Sequence, residues 1–171
     1  MNGKFYAREI FGNKIKIFDS DFNLLKTLRF SFSVHSFTPL DNGNIVVGSP
    51  DGTLYLVDED GNVLASYSSG STSYILTYNA GRIVQTDIMN HAVHVYDVNL
   101  NKIATITHPY LYLPTFGAFD GTYYHVYSRY GFVLLFDEAG NLVGIYNGNY
   151  FYAIDVYADY VAVGDQIAGV L

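Results

Sequence analysis

The stretch from Asn44 to Tyr67, NIVVGSPDGTLYLVDEDGNVLASY, contains three short apolar runs separated by two turn sequences. The turns are Pro50-Asp51-Gly52 and Glu59-Asp60-Gly61-Asn62, and these residue types favour tight reversals of the chain. Short apolar runs bounded by such turns are typical of antiparallel β-strands. We therefore predict three consecutive strands here, preceded by a further strand from Ser33 to Thr38.

The aspartate that ends the middle run recurs along the chain at a nearly constant interval. The runs IKIFD, LYLVD, VHVYD and LLFD end at Asp19, Asp58, Asp97 and Asp137, at intervals of 39, 39 and 40 residues. Four residues later comes an asparagine, at Asn23, Asn62, Asn101 and Asn141. A period of about 40 residues built from short strands and turns is the signature of a β-propeller. The sequence thus predicts an all-β fold, a small β-propeller of four to five blades built from four-stranded repeats.

The repeats divide a single predicted β-propeller domain, residues 1–171. Three are complete and two are partial: approximately 1–30 (partial), 33–68, 73–107, 114–146 and 151–171 (partial). Glycine recurs at the turn between the first and second strands, where a left-handed backbone is expected, at Gly43, Gly81 and Gly121. The partial repeats leave three alternatives open. The ring has four blades and a remnant, with Phe151–Val156 supplying the missing first strand, or it has five blades of which two are thin. In the third alternative, two or more chains share one ring or stack through their ends.

The stretch from Gly43 to Tyr67 resembles the quinoprotein and YVTN-type repeats, in which a strand ends in Asp, a Gly-Asn turn follows and an apolar strand resumes. More broadly, the chain resembles the superfamily of propellers with repeats of about 40 residues, which includes the WD-repeat blades. It has no Trp and lacks the Gly-His and Trp-Asp dipeptides of those blades. In its small size, many tyrosines and lack of cysteine it is also similar to proteins from viruses of hyperthermophilic archaea. That resemblance implies a viral or particle component.

Composition limits the classes of partner. The net charge is −7, and nine scattered Lys and Arg residues do not form the basic surface that nucleic acid requires. There is no cysteine, so disulfides and thiolate metal sites are excluded. The N-terminal residues lack the apolar segment of a signal peptide, and no apolar run is long enough for a transmembrane helix. We expect no nucleic-acid partner, no transmembrane segment, and a cytoplasmic or virion-associated protein.

No catalytic or metal-binding constellation is visible. The aspartate turns place oxygen ligands two residues apart, as calcium loops do, but the twelfth-position glutamate of such loops is missing, so turn formation is the preferred interpretation. His91 and His94 lie three apart in or beside a strand and point to opposite faces. Neither a nucleophile motif nor a phosphate loop occurs. We predict no cofactor, no metal and no enzymatic activity.

Aromatic connectors between repeats are the best candidates for a binding surface. The sequences HPYLYLP and NGNYFY contain Tyr110, Tyr112, Tyr150 and Tyr152, which suit a protein interface or a sugar-stacking platform. The alternative is that these rings fill the spaces between blades. Residues on predicted first strands, His35, Tyr74 and Thr115, could surround a ligand in a central channel.

The function predicted from these features is non-enzymatic protein binding or assembly, with a protein partner or self-association through the ring ends. The alternative is a lectin-like propeller that binds a glycan, and a propeller hydrolase or lactonase is less well supported. The connectors SSGST, HPYLYLP and NGNYFY are dissimilar. That dissimilarity favours one asymmetric protein-binding face over several identical sugar sites.

Overall fold

A computed structural model describes residues 3–9, 12–70 and 75–147, and the backbone alone of 151–157 and 160–165. These residues form β-strands joined by turns, and among them no helix is long and apolar enough to cross a membrane. The strands β1 to β17 are, in chain order, Phe5–Arg8, Lys14–Phe18, Leu24–Arg29, Ser36–Pro39, Ile45–Gly48, Thr53–Val57, Val63–Ser68, Ile75–Asn79, Arg82–Asp87, Ala92–Tyr96, Lys102–Thr107, Phe116–Phe119, Tyr124–Ser128, Phe132–Phe136, Leu142–Asn147, Phe151–Tyr157 and Tyr160–Asp165.

The chain forms two compact units, Met1–Ser73 and Tyr74–Leu171. In the first unit, β1-β2-β3 form a three-stranded sheet and β4-β5-β6-β7 a four-stranded sheet. In the second unit, β8 to β11 and β12 to β15 form four-stranded sheets, and β16 and β17 form a hairpin. Every pairing is antiparallel between consecutive strands. The prediction of an all-β chain of repeated four-stranded sheets is confirmed, whereas a single propeller domain over residues 1–171 stays a prediction.

The strand expected at Ser33–Thr38 begins later than predicted, at Ser36, and ends at Pro39. The reason lies in the backbone hydrogen bonds of the preceding residues. The N–H of Val34 donates to the carbonyl of Gly12 at 2.9 Å. This segment is therefore bonded to the turn between β1 and β2 before the chain enters its own sheet.

The core of each unit consists mainly of branched apolar and aromatic side chains on the middle strands of its sheets, with further residues from outer strands and connectors. These strands are buried throughout in β5, β10 and β13, as expected when both faces of a sheet are covered. In the second unit the two four-stranded sheets approach closely at Gly117 of β12. A Cβ there would lie 3.1 Å from Cγ1 of Val84 and 3.2 Å from Cγ2 of Thr86. Glycine at this position allows β12 to pack against β9.

The four aspartate turns share one hydrogen-bonding pattern. Each aspartate donates its N–H to the carbonyl of the asparagine four residues later, at 3.0 Å. Its Oδ1 accepts the asparagine N–H at 2.8–2.9 Å, and its Oδ2 accepts the asparagine Nδ2–H at 2.8–3.0 Å. A β-bulge lies just before each turn, at Phe18, Val57, Tyr96 and Phe136. The carboxylates therefore serve the turns, and no three metal-binding side chains group together among the residues described.

These turns make stability depend on pH in a defined direction. Hydrogen bonds from Asn23, Asn62 and Asn141 lower the pKa of Asp19, Asp58 and Asp137. At Asp97 partial burial acts in the opposite direction, but the bonds from Asn101 still leave the pKa lowered.

A carboxyl whose pKa is lowered by folding contributes stability that is fully present above its unfolded pKa, about 3.9, and is lost as the pH falls through the folded value. We therefore expect the urea midpoint to be constant above about pH 5 and to fall steadily below pH 4. Replacing all four aspartates with Asn should lower the midpoint at neutral pH and flatten this acid slope. An equally steep slope in that variant would show that other groups carry it.

Candidate functional site

The connector between β11 and β12, residues 108–114, is held in one conformation by the protein beneath it. Ser128, at the end of β13, has no exposed surface. Its hydroxyl accepts the N–H of Tyr112 at 3.0 Å and donates to the carbonyl of Tyr110 at 2.6 Å. The N–H of Arg129 donates to the carbonyl of Tyr112 at 2.8 Å. Both tyrosines are thus fixed by their backbone and do not depend on a partner to order them.

A second anchor comes from the turn between β9 and β10. His91 adopts a left-handed backbone with φ 53°, and its Nδ1 accepts the N–H of Leu113 at 3.0 Å. The imidazole ring stacks on Tyr112 with centroids 5.0 Å apart, and Tyr112 stacks on Tyr130 at 4.6 Å. Leu111 points the other way, because it is buried in the core of the second unit.

On the connector and the two neighbouring turns, five large side chains are exposed or partly exposed, Met89, His91, Tyr110, Tyr112 and Tyr130, and we call them the aromatic face. The exposed fraction is 49% for Tyr110, 39% for Tyr112, 56% for Tyr130 and 72% for Met89. Tyr110 and Tyr112 are thus each partly exposed and partly packed against other rings, and their role as binding residues stays a prediction.

The other residues proposed from the sequence lie elsewhere. His35 is half-buried in the first unit, where burial and then the charge of Arg8 lower its pKa. Thr115 is buried, and its N–H donates to the carbonyl of Tyr127 at 3.3 Å. Tyr74 and Tyr150 lie outside the described residues, and of Tyr152 only the backbone, in β16, is described. A ligand channel around His35, Tyr74 and Thr115 therefore stays a prediction.

Three members of the aromatic face were not predicted from the sequence as site residues: Met89, His91 and Tyr130. Met89 and Tyr130 occupy tight turns, at Asp87-Ile-Met-Asn90 and Arg129-Tyr-Gly131. Large side chains at the tips of two-strand turns are exposed by geometry. That signal is present in the sequence, although only the fold shows that both tips lie beside the connector.

Beneath the turn that carries Met89 and His91 lies a buried polar network. The carboxylate of Asp87 accepts the N–H groups of Met89 and Asn90 at 3.1 and 3.0 Å and the Nδ2–H of Asn90 at 2.8 Å. Its Oδ2 also lies 3.2 Å from Nε2 of His94. Burial lowers the pKa of His94 although the bond to Asp87 opposes this, so the ring is neutral at pH 7 and Nε2 donates to the carboxylate. His94 Nδ1 then accepts from the hydroxyl of Thr105, at 3.1 Å.

The remaining histidines do not converge with His94. His91 serves the connector, as described above, and Nε2 of His125 lies 2.7 Å from Oδ2 of Asp120. That carboxylate also accepts the N–H groups of Thr122 and Tyr123 at 2.7 Å. His91, His94 and His125 are therefore bonded to different groups: the connector, Asp87 with Thr105, and Asp120.

Ser128 is a positioning residue, and removing its hydroxyl should reduce the order of the connector that carries Tyr110 and Tyr112. We expect Ser128→Ala to lower the free energy of unfolding by about 1–2 kcal/mol, because the N–H of Tyr112 and the carbonyl of Tyr110 lose their buried partner. Amide exchange at Tyr112 should speed up more than exchange within β10. The control is Ser66→Ala, an exposed serine of β7, which should change neither quantity. Unchanged exchange in Ser128→Ala would show that the hydroxyl does not order the connector.

Comparison with known proteins gives the fold and nothing more specific. No family model matches the sequence, and no curated protein matches it. The resemblance to quinoprotein, YVTN-type and archaeal-virus proteins therefore stays a prediction.

Among solved structures the chain is similar to two computationally designed proteins. Ika4 has a TM-score of 0.67 at 17% identity, over 80% of this chain and 88% of that one. Ika8 has a TM-score of 0.67 at 16% identity, over 94% of this chain but only 54% of the designed chain. In all, 1056 solved chains are similar, so the fold is widespread and does not by itself define a function.

Proposed function

We propose that the protein is a non-enzymatic protein-binding module and that the aromatic face is its binding surface. The observation that carries this proposal is the combination of exposure and order in the connector: Tyr110 and Tyr112 are half-exposed, yet Ser128 and His91 hold their backbone. Rings that are already ordered lose little entropy on binding. Tyrosine is also among the residues enriched at the energetic centres of interfaces.

Charge supports the same assignment. None of the five residues of the aromatic face is acidic, and the exposed Arg129 lies next to Tyr130, in a chain whose net charge is −7. Interface centres are depleted of Asp and Glu and enriched in Tyr, Met and Arg. The composition of the aromatic face is therefore that of an interface centre and differs from the average of this chain.

A glycan is the second candidate ligand, because Tyr130 presents an exposed ring that a sugar could stack on. The stacking of Tyr112 on both His91 and Tyr130 argues against it, since much of that ring is already engaged by protein. A glycan array would detect such a ligand. If Tyr130 stacks on the sugar, the Tyr130→Ser variant should lose the array signal.

The sheets are, in this proposal, the blades of a small propeller of four to five blades. The period of 39–40 residues and the meander order of each four-stranded sheet support it. Within the second unit, first strands of successive sheets are neighbours, because β12 contacts both β8 and β16. Connectors such as 108–114 then lie on one face of the disc, where a partner can reach them.

The proposal is tested by photo-crosslinking from three single positions. Benzoylphenylalanine replaces Tyr110, Tyr130 or, as the matched control, Tyr123, which is 38% exposed at the opposite end of β13. In extract from the source cells, positions 110 and 130 should crosslink to one common protein that position 123 does not capture. Equal capture at all three positions, or none at 110 and 130, would contradict a binding role for the aromatic face.

A further inference from the structure

The fourth residue of every aspartate turn has a left-handed backbone, but its side chain differs between turns. In two turns it is glycine, Gly61 with φ 87° and Gly140 with φ 83°. In the other two it is bulky, Phe22 with φ 62° and Leu100 with φ 66°. A branched or aromatic residue is strained in this conformation, whereas glycine is not. Phe22 stacks on Phe5 of its own chain but remains 70% exposed, so this contact leaves most of the bulky residue uncovered.

The two glycine turns form the same junction inside each unit. A Cβ on Gly61 would lie 3.6 Å from Leu28, and a Cβ on Gly140 would lie 3.5 Å from Ile106. Leu28 and Ile106 are both the fifth residue of the outer strand of the preceding sheet, and both are buried. Each turn therefore covers one apolar side chain of its neighbour.

An ion pair accompanies each of these junctions at equivalent positions. In both pairs the acidic residue comes directly after the aspartate of the turn. The basic residue comes directly after a glycine, at or just before the start of the second strand of the preceding blade. The pairs are Lys4–Glu59 at 3.0 Å in the first unit and Arg82–Glu138 at 3.2 Å in the second.

Among the residues that the structure describes, two halves of the same junction have no counterpart. Tyr146 is the fifth residue of β15, the position of Leu28 and Ile106, yet it is 60% exposed. Phe22 occupies the covering position of the turn between β2 and β3 and stacks on Phe5, with centroids 4.8 Å apart. The half with Tyr146 supplies the strand of the junction, and the half with Phe22 supplies the turn that would cover it.

The charges at these two halves are matched as well. Ser20 follows Asp19 where the other junctions have Glu59 and Glu138, and Thr122 follows Gly121 where they have Lys4 and Arg82. The acid and the cation are thus both replaced by hydroxyl residues. Joining the halves would place no acid or cation at these two positions, and β15 itself, Leu142–Asn147, carries no charge.

We propose that the turn carrying Phe22 in one copy of the chain docks on Tyr146 of a second copy, and so forms between chains the junction that each unit forms internally. Phe22 and Tyr146 then make an aromatic pair in place of the Leu–Gly and Ile–Gly contacts. The two surfaces differ, so the contact is head-to-tail and closes into a ring or extends as a filament. This surface involves none of the residues of the aromatic face.

The absence of cysteine allows a direct test by disulfide crosslinking. Phe22→Cys and Tyr146→Cys are made as separate proteins with different tags, mixed and oxidised. We expect a mixed disulfide dimer at more than tenfold the yield of a control mixture of Phe22→Cys with Ile103→Cys, whose side chain on β11 is similarly exposed. Equal yields in the two mixtures would overturn the proposal.

The Phe22→Cys/Tyr146→Cys double variant shows whether the turn docks on a second copy or on its own chain. Disulfide-linked dimers and larger species support contact between copies. A disulfide within one chain would overturn the proposal, because the junction would then close within a single copy. Phe22→Gly provides an independent readout by analytical ultracentrifugation. It should weaken self-association at least tenfold without lowering the unfolding midpoint, because glycine relieves the left-handed strain. Unchanged association in Phe22→Gly would contradict the role assigned to this ring.

Discussion

Replacing Asp87 with Ala is expected to lower the free energy of unfolding by about 3 kcal/mol. The side chain is fully buried, and it accepts hydrogen bonds from the backbone of Met89 and Asn90, from the Asn90 amide and from His94. Alanine leaves these donors without this acceptor in a site that water does not reach. Urea denaturation at pH 7 measures the loss.

Asp21 is the matched control, because it is an exposed aspartate in another turn. Asp21→Ala should change the free energy of unfolding by less than about 0.5 kcal/mol. If Asp87→Ala were as stable as Asp21→Ala, the buried network would not hold the turn between β9 and β10. The anchoring of the aromatic face through His91 would then need another cause.

Replacing both Tyr110 and Tyr112 with Ser is expected to weaken binding of the crosslinked partner by at least about thirtyfold, or about 2 kcal/mol, as for paired residues at the centre of an interface. Tyr110 is 49% and Tyr112 39% exposed, so stability should fall much less than in a core substitution. Calorimetric titration measures the affinity and urea denaturation the stability.

Tyr123→Ser is the control for this pair, since Tyr123 is exposed to a similar degree but lies away from the connector. It should bind the partner normally. If the Tyr110→Ser/Tyr112→Ser variant bound the partner with unchanged affinity, the aromatic face would be excluded as the binding surface. A loss of several kcal/mol in stability would instead return both rings to a packing role.

The repeat was predictable from the sequence because its signals are local. Asp and Asn four residues apart close a turn by their own hydrogen bonds, so the same residues reappear wherever the turn does. The prediction of left-handed glycines at Gly43, Gly81 and Gly121 was correct for the same reason, with φ of 89°, 75° and 104°.

The aromatic face was predictable only in part, because it is assembled from three separate segments. Tyr110 and Tyr112 could be proposed from the connector alone. Tyr130 and His91 join them through ring stacking with Tyr112, which depends on how two sheets pack. The anchoring role of Ser128 is likewise invisible in the sequence, where it is one serine at the end of a strand.

Backbone amide exchange of the free protein, followed residue by residue, tests most directly whether the chain carries a fixed aromatic face. The N–H groups of Leu111, Tyr112 and Leu113 are bonded to His108, Ser128 and His91. We predict that these three amides exchange as slowly as those of the outer strand β11. Exchange at the rate of an unstructured chain would contradict the account, because the tyrosines would then be ordered only by a partner.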